Sequence, residues 1–255
     1  MTLIAFQLAL ADLAASPELC ARVASDPGAA LAGRDLTERE QRRLASAAGQ
    51  HGVQVNRALY RYNRINALVE TLRGSLFLLG DGVRGIVDEF WGETGLHRNQ
   101  RREAELFAGF MRDAVASGRV ESPYLSEVME FELLRYQVAT SPRPRLLAEV
   151  ADAATRWPDG PLALHPLLRI VRFTHEPHEL LKRVAERVPP PYDDLEQGEF
   201  HLLLDYRGES YEQATLSPAW AAVIHGALEG GAEVAPEAVD RLVEAGFLVR
   251  TAPRG

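Results

Sequence analysis

Three of the seven histidines fall in one stretch, LHPLLRIVRFTHEPHELLKR, at His165, His175 and His178. Imidazole is a common metal ligand and the side chain that titrates nearest neutral pH, so the cluster raises metal binding and acid–base chemistry together. A zinc site needs three or four converging ligands. His175 and His178 share one helical turn at best, with Pro177 between them, and His165 stands at the far end of an intervening extended run. No cysteine or carboxylate stands at a familiar ligand spacing, and HExxH is absent. The reading is that His175 and His178 cap and cover a helix start; a regulatory or catalytic histidine and a metal site are the alternatives.

The other chemistry-bearing residues are sparser still. Cys20 is the single cysteine, which excludes an intramolecular disulfide framework and any multi-cysteine metal centre. There is no GxxxxGK[ST], no GxGxxG after a strand and no GxSxG. GDGVRG (residues 80–85) carries glycines, but it follows a helical pattern. Carboxylate pairs such as Glu130 and Glu132 are too common on helices to argue hydrolysis. No motif forms a self-sufficient active site.

The elements that position these residues divide the chain. With 46% hydrophobic and 25% charged residues among 255, the composition is that of a globular protein with a sizeable core. The opening MTLIAFQLALADLAAS lacks a basic n-region, and Asp12 interrupts it, so it reads as the first amphipathic helix of a cytoplasmic protein. Residues 1–52 read as an N-terminal helical extension, with Ser16 as N-cap before Pro17, a Thr37–Glu40 capping box and Gly52 as a stop.

Residues 53–156 form a helical bundle. Val55, Leu59, Tyr62, Ile65, Leu68, Val69 and Leu72 recur at helical spacing as a buried stripe, with Arg57, Arg61 and Arg64 on another face. Ser122 and Pro123 open a later helix, and prolines 142, 144, 158 and 161 mark the domain boundary. Residues 157–255 then read as a small α+β module: a strand at LLRIVRF, a helix from Pro177, a hairpin around Arg207–Ser210, two short helices and strand-like FLVR. The fold class is α+β, a helical bundle followed by a module whose strand, strand, helix, helix, strand order is winged-helix-like.

Charge separates two uses of such a module. From Pro189 onward stand 12 acidic and 4 basic residues, so the whole net charge of −8 falls there. A duplex-binding face needs cations, and the would-be recognition helix offers Glu237, Asp240 and Glu244 against Arg241. The same fold can take an added peptide strand on an open sheet edge. Phe200, Leu202, Leu204 and Tyr206 share one strand face, with His201, Leu203, Asp205 and Arg207 on the other. The first face, joined by Tyr211 and Trp220, is the candidate peptide-binding set.

Four stretches together resemble a known family. LYRYNRINALVETL looks like the YRxN helix of small partner proteins in ribosomal-peptide (RiPP) modification, and PYLSEVMEFELLRY is similar to their YLxDLAxLExA helix. LHPLLRIVRFTHEPHELL and GEFHLLLDYRGESYEQATLSPAWAAVI resemble their C-terminal module. The family includes the methanobactin biosynthesis protein MbnC, the thiaglutamate-pathway protein TglI and the HvfC/BufC chaperones, and the likeness covers residues 53–250.

The resemblance implies a non-catalytic subunit that forms a heterodimer with a TIM-barrel multinuclear non-heme iron oxidase. Iron belongs to that partner, with no cofactor or metal in this chain. The C-terminal module would bind the leader of a precursor peptide and present its core, often a cysteine, while the helical half docks on the barrel. Arg61, Asn63, Tyr124 and His165 match family motif positions and become candidate partner-interface residues, and the three histidines become structural. Glu132 either pairs with Arg61 or is solvated like it. The acidic module would suit a basic leader. The extension could contact the oxidase, contact the leader or enlarge the bundle. The rivals from other classes are a winged-helix DNA-binding regulator and a stand-alone metal-dependent enzyme.

Overall fold

The computed structural model describes residues 3–94, 100–229 and 235–253. The chain is α+β, mostly helical with a small antiparallel sheet, and it forms two compact units. One comprises Met1–Glu70 with Arg84–Phe107 and the other Thr71–Val83 with Ala108–Gly255. These divisions do not fall at residues 52 and 156, where composition changes.

The elements of the N-terminal region are α1 (Leu3–Ala15), α2 (Pro17–Ser25), α3 (Pro27–Ala30), α4 (Glu38–Ala48), α5 (His51–Thr71), α6 (Arg73–Leu78), α7 (Val83–Thr94) and α8 (Gln100–Ala116). The caps are those the sequence encodes. Ser16 Oγ accepts from Leu19 N–H at 3.0 Å, and Thr37 and Glu40 exchange both bonds of a capping box. Gly49, not Gly52, closes α4, and Gly52 lies inside α5. Leu13, Val23, Leu31 and Leu44 form the core that ties α1 to α4.

On α5 the apolar stripe is only half buried. Leu68, and Leu72 just past the helix end, are enclosed, whereas Val55, Leu59, Tyr62 and Val69 are exposed, Tyr62 at 63%. Behind them Arg64 and Glu103 form a buried ion pair at 2.7 Å, and Trp91 Nε1 donates to the same Glu103 oxygen at 2.9 Å. No single helix among the described residues is long and apolar enough to cross a membrane.

The second unit holds α6 and continues through α9 (Leu125–Ala139), α10 (Arg143–Arg156), β1 (Leu162–Leu164), β2 (Leu168–His175), α11 (Pro177–Ala185), β3 (Gln197–Asp205), β4 (Glu212–Leu216), α12 (Pro218–Glu229), α13 (Pro236–Glu244) and β5 (Leu248–Arg250). β2, β3 and β4 make an antiparallel sheet in that order, with Val171 opposite Leu202, Leu202 opposite Thr215 and Leu204 opposite Gln213. β5 pairs with β1 in a separate two-stranded ladder, not with the hairpin. α9 covers one sheet face, where the Phe131 and Phe173 rings meet at 6.3 Å. Ile224, Leu242 and Leu248 pack with Ile170 and Leu216 on the other face, beneath α12 and α13.

Both faces of β3 are therefore covered, which explains the run Leu202–Leu203–Leu204: all three are buried. The helix expected from Ser122 starts at Leu125 instead. Pro123 and Tyr124 form a turn, and the Tyr124 ring is drawn into the interior against His175 and Tyr192, with centroids at 4.8 and 4.9 Å.

Candidate functional site

The histidines that opened the question are structural parts of the second unit. His165 Nδ1 accepts the Leu167 N–H at 3.1 Å in the turn before β2, and burial lowers its pKa, with the Arg207 charge adding to the effect. It is buried, so it cannot present itself to a partner as expected. His175 ends β2 with Nδ1 2.6 Å from Glu127 Oε1. His178 Nε2 lies 2.9 Å from Thr215 Oγ1, tying α11 to β4. Neither histidine caps α11; Glu176 does, accepting the N–H groups of His178 and Glu179. Among the described residues no group of three or more His, Cys, Asp and Glu could hold a metal ion.

The candidate peptide-binding set divides three ways. Leu202 and Leu204 lie fully in the core, because β3 is the central strand and α9 covers that face; they cannot contact a ligand as the fold stands. Phe200 is half-buried at the same layer. Trp220 is exposed on α12, which packs on the opposite sheet face. Tyr206 and Tyr211 come together with ring centroids 4.7 Å apart, and Tyr211 Oη donates to Gln213 Oε1 at 2.7 Å. Burial raises the pKa of both phenols, that of Tyr211 to about 12 with a contribution from Tyr206.

The strand these tyrosines flank is open. β4 is an edge strand, Glu212 to Thr215 are exposed, and among the described residues it pairs with β3 alone. In an antiparallel edge strand alternate residues turn their N–H and C=O groups outward, unpaired. The other edge, β2, is engaged at one end, where Glu127 Oε2 accepts the Thr174 N–H at 2.6 Å.

Beside β4 runs a groove in two parts that share Tyr211. The larger, of about 490 Å³, is lined from α6, α9, α11 and the hairpin by Arg73, Phe77, Phe131, Arg135, Leu181, Lys182, Arg187, Tyr211 and Gln213. The smaller, of about 280 Å³, is lined by Val138, Ser141, Arg143, Leu167, Tyr206 and Tyr211 among others.

Glu132 builds the larger cleft. Its carboxylate accepts from Gly74 N–H at 2.7 Å, Ser75 N–H at 2.9 Å and Ser75 Oγ at 2.7 Å, so it acts as the cap that α6 lacks in its own sequence. Both expectations for Glu132 are thereby corrected. It is buried rather than solvated, and Arg61 pairs instead with Asp88 while lying over the Trp91 ring. Gly74 sits so close to Val184 and Glu132 that a Cβ would fall 2.6 Å from Val184 Cγ1.

Tyr124, expected at a partner surface, is buried, and its hydroxyl accepts the Tyr192 N–H at 3.0 Å. Asn63 is exposed on α5 and Arg61 partly so, in the helix that carries the exposed Val55, Leu59, Tyr62 and Val69. No protein-family model matches the sequence, and no curated protein matches it.

Proposed function

We propose that this chain is a non-catalytic subunit that captures the leader of a ribosomally made precursor peptide and presents its core to a TIM-barrel multinuclear iron oxidase. The winged-helix-like C-terminal module is the leader-binding part. The observation that carries the reading is the uncovered β4 edge beside a groove containing Tyr206 and Tyr211. A leader added beside β4 as the fourth strand of the β2–β3–β4 sheet gains main-chain hydrogen bonds, and groove side chains supply selectivity. Holding the leader raises the effective concentration of the core at a remote active site. The exposed apolar residues of α5, together with Asn63 and Arg61, support an oxidase-docking role for that helix.

Co-expression with a neighbouring TIM-barrel oxidase gene and short peptide gene tests the reading. The expected result is a co-purifying heterodimer, and a mass change in the precursor that requires this chain. A precursor fully modified by the oxidase alone, or a substrate turned over by this chain alone, would overturn it.

A further inference from the structure

The larger cleft beside β4 has a charge opposite to that of the C-terminal segment as a whole. Arg73 from α6, Arg135 from α9, Lys182 from α11 and Arg187 just past its end line it. Its one acidic lining residue, Glu132, is buried with both oxygens already taken by α6. No acidic residue past Pro189 lines this cleft. Asp194 is held by Arg183, Asp205 by Arg207, and Glu199 faces Arg172. Lys182 has Glu179 at 3.6 Å, whereas the side chains of Arg73 and Arg187 make no hydrogen bond or ion pair among the described residues.

Arg187 adds a separate observation. It follows the C-terminus of α11 with φ 58°, the only positive-φ residue other than glycine among those described. Glycine is the unstrained choice at that place. An arginine there puts a cation on the cleft at the expense of backbone strain, and strain kept at a surface position points to use.

We infer that the cleft is a selectivity pocket for an acidic side chain of an extended peptide bound along β4. This rests on the leader-binding reading and specifies its ligand: a strand with Asp or Glu reaching Arg73, Arg135 and Arg187. It reverses the expectation of a basic leader, because the local field at the strand edge, and not the net charge of the module, acts on a bound side chain. Arginine suits the task because its planar fork donates two parallel bonds to a carboxylate.

The test is selection of a displayed library of random peptides on the full-length protein. Enriched peptides are expected to carry Asp or Glu at one fixed place. Against synthetic copies of them, Arg73→Gln and Arg135→Gln should each weaken binding about tenfold, the loss of one charge-assisted pair. Arg187→Gly should weaken binding while leaving the melting temperature unchanged or higher, since it relieves the left-handed backbone; a fold defect cannot mimic that combination. Peptides that bind along β4, by amide protection of residues 212–216, without acidic enrichment or without sensitivity to these variants would overturn the pocket and leave leader capture standing. A library yielding no binder at all would overturn both.

Discussion

Glu132→Ala and Glu132→Gln probe the device that shapes the groove. The carboxylate accepts the backbone N–H groups of both Gly74 and Ser75, which are buried residues. Alanine orphans both donors. A buried unsatisfied donor costs about 1–3 kcal/mol, so two at the middle of that range give about 4 kcal/mol for Glu132→Ala once the freed Ser75 hydroxyl rotates to another partner. A chain of this size should then melt about 8–16 °C lower. Glutamine keeps one acceptor and can donate to Ser75 Oγ, leaving one amide orphaned, so about half the loss is expected.

The two variants also carry a pH signature. Burial raises the Glu132 carboxyl above its ordinary value near 4.5, against the pull of the hydrogen bonds from Ser75 and Gly74. The native state then binds a proton in a window where the unfolded chain does not. Its stabilisation is full below about pH 4.5 and is lost as pH rises through the native value. Glutamine has no such dependence. Denaturant unfolding across a pH series should therefore show the gap between the natural protein and Glu132→Gln narrowing as pH rises. A gap that widens would mean the three donors outweigh burial. A Glu132→Ala variant no less stable than a surface substitution would refute the capping role itself.

Leu204→Asp should abolish cooperative folding, at a loss above about 3 kcal/mol, because it sets a carboxylate in a fully enclosed site. Tyr211→Ala, at an exposed position, should cost under about 1 kcal/mol by chemical denaturation yet weaken peptide capture. Tyr124→Phe removes the acceptor for the Tyr192 N–H and should lower stability by about 1–2 kcal/mol, read by thermal melting. Arg64→Met leaves Glu103 buried without its cation and should cost about 3–5 kcal/mol, whereas the pair Arg64→Met with Glu103→Met should recover most of that in a double-mutant cycle.

Local signals in the sequence carried far. The caps at Ser16 and Thr37, Pro177 at the start of α11, the β2 run and the β3–β4 hairpin are each written in a few adjacent residues, and each forms. Features that depend on distant partners were not legible. Glu132 meets Gly74 and Ser75 across nearly sixty residues, so its capping role has no local trace. β1 is three residues long and exists only because β5 pairs with it. The central place of β3 did leave a mark: three consecutive leucines satisfy two covered faces, where an edge strand with one solvated face would alternate. The α5 spacing gave the right helix but could not say which apolar residues a neighbour covers. Arg73, Arg135 and Arg187 lie on three separate elements, so their convergence awaited the fold.

Hydrogen–deuterium exchange of the chain with and without a peptide enriched by selection on the protein tests the central claim most directly. Slowed exchange is predicted at the amides of residues 212–216, where a new strand would close the open ladder. Protection confined to α12 and α13, to α5, or to no segment would contradict capture along β4.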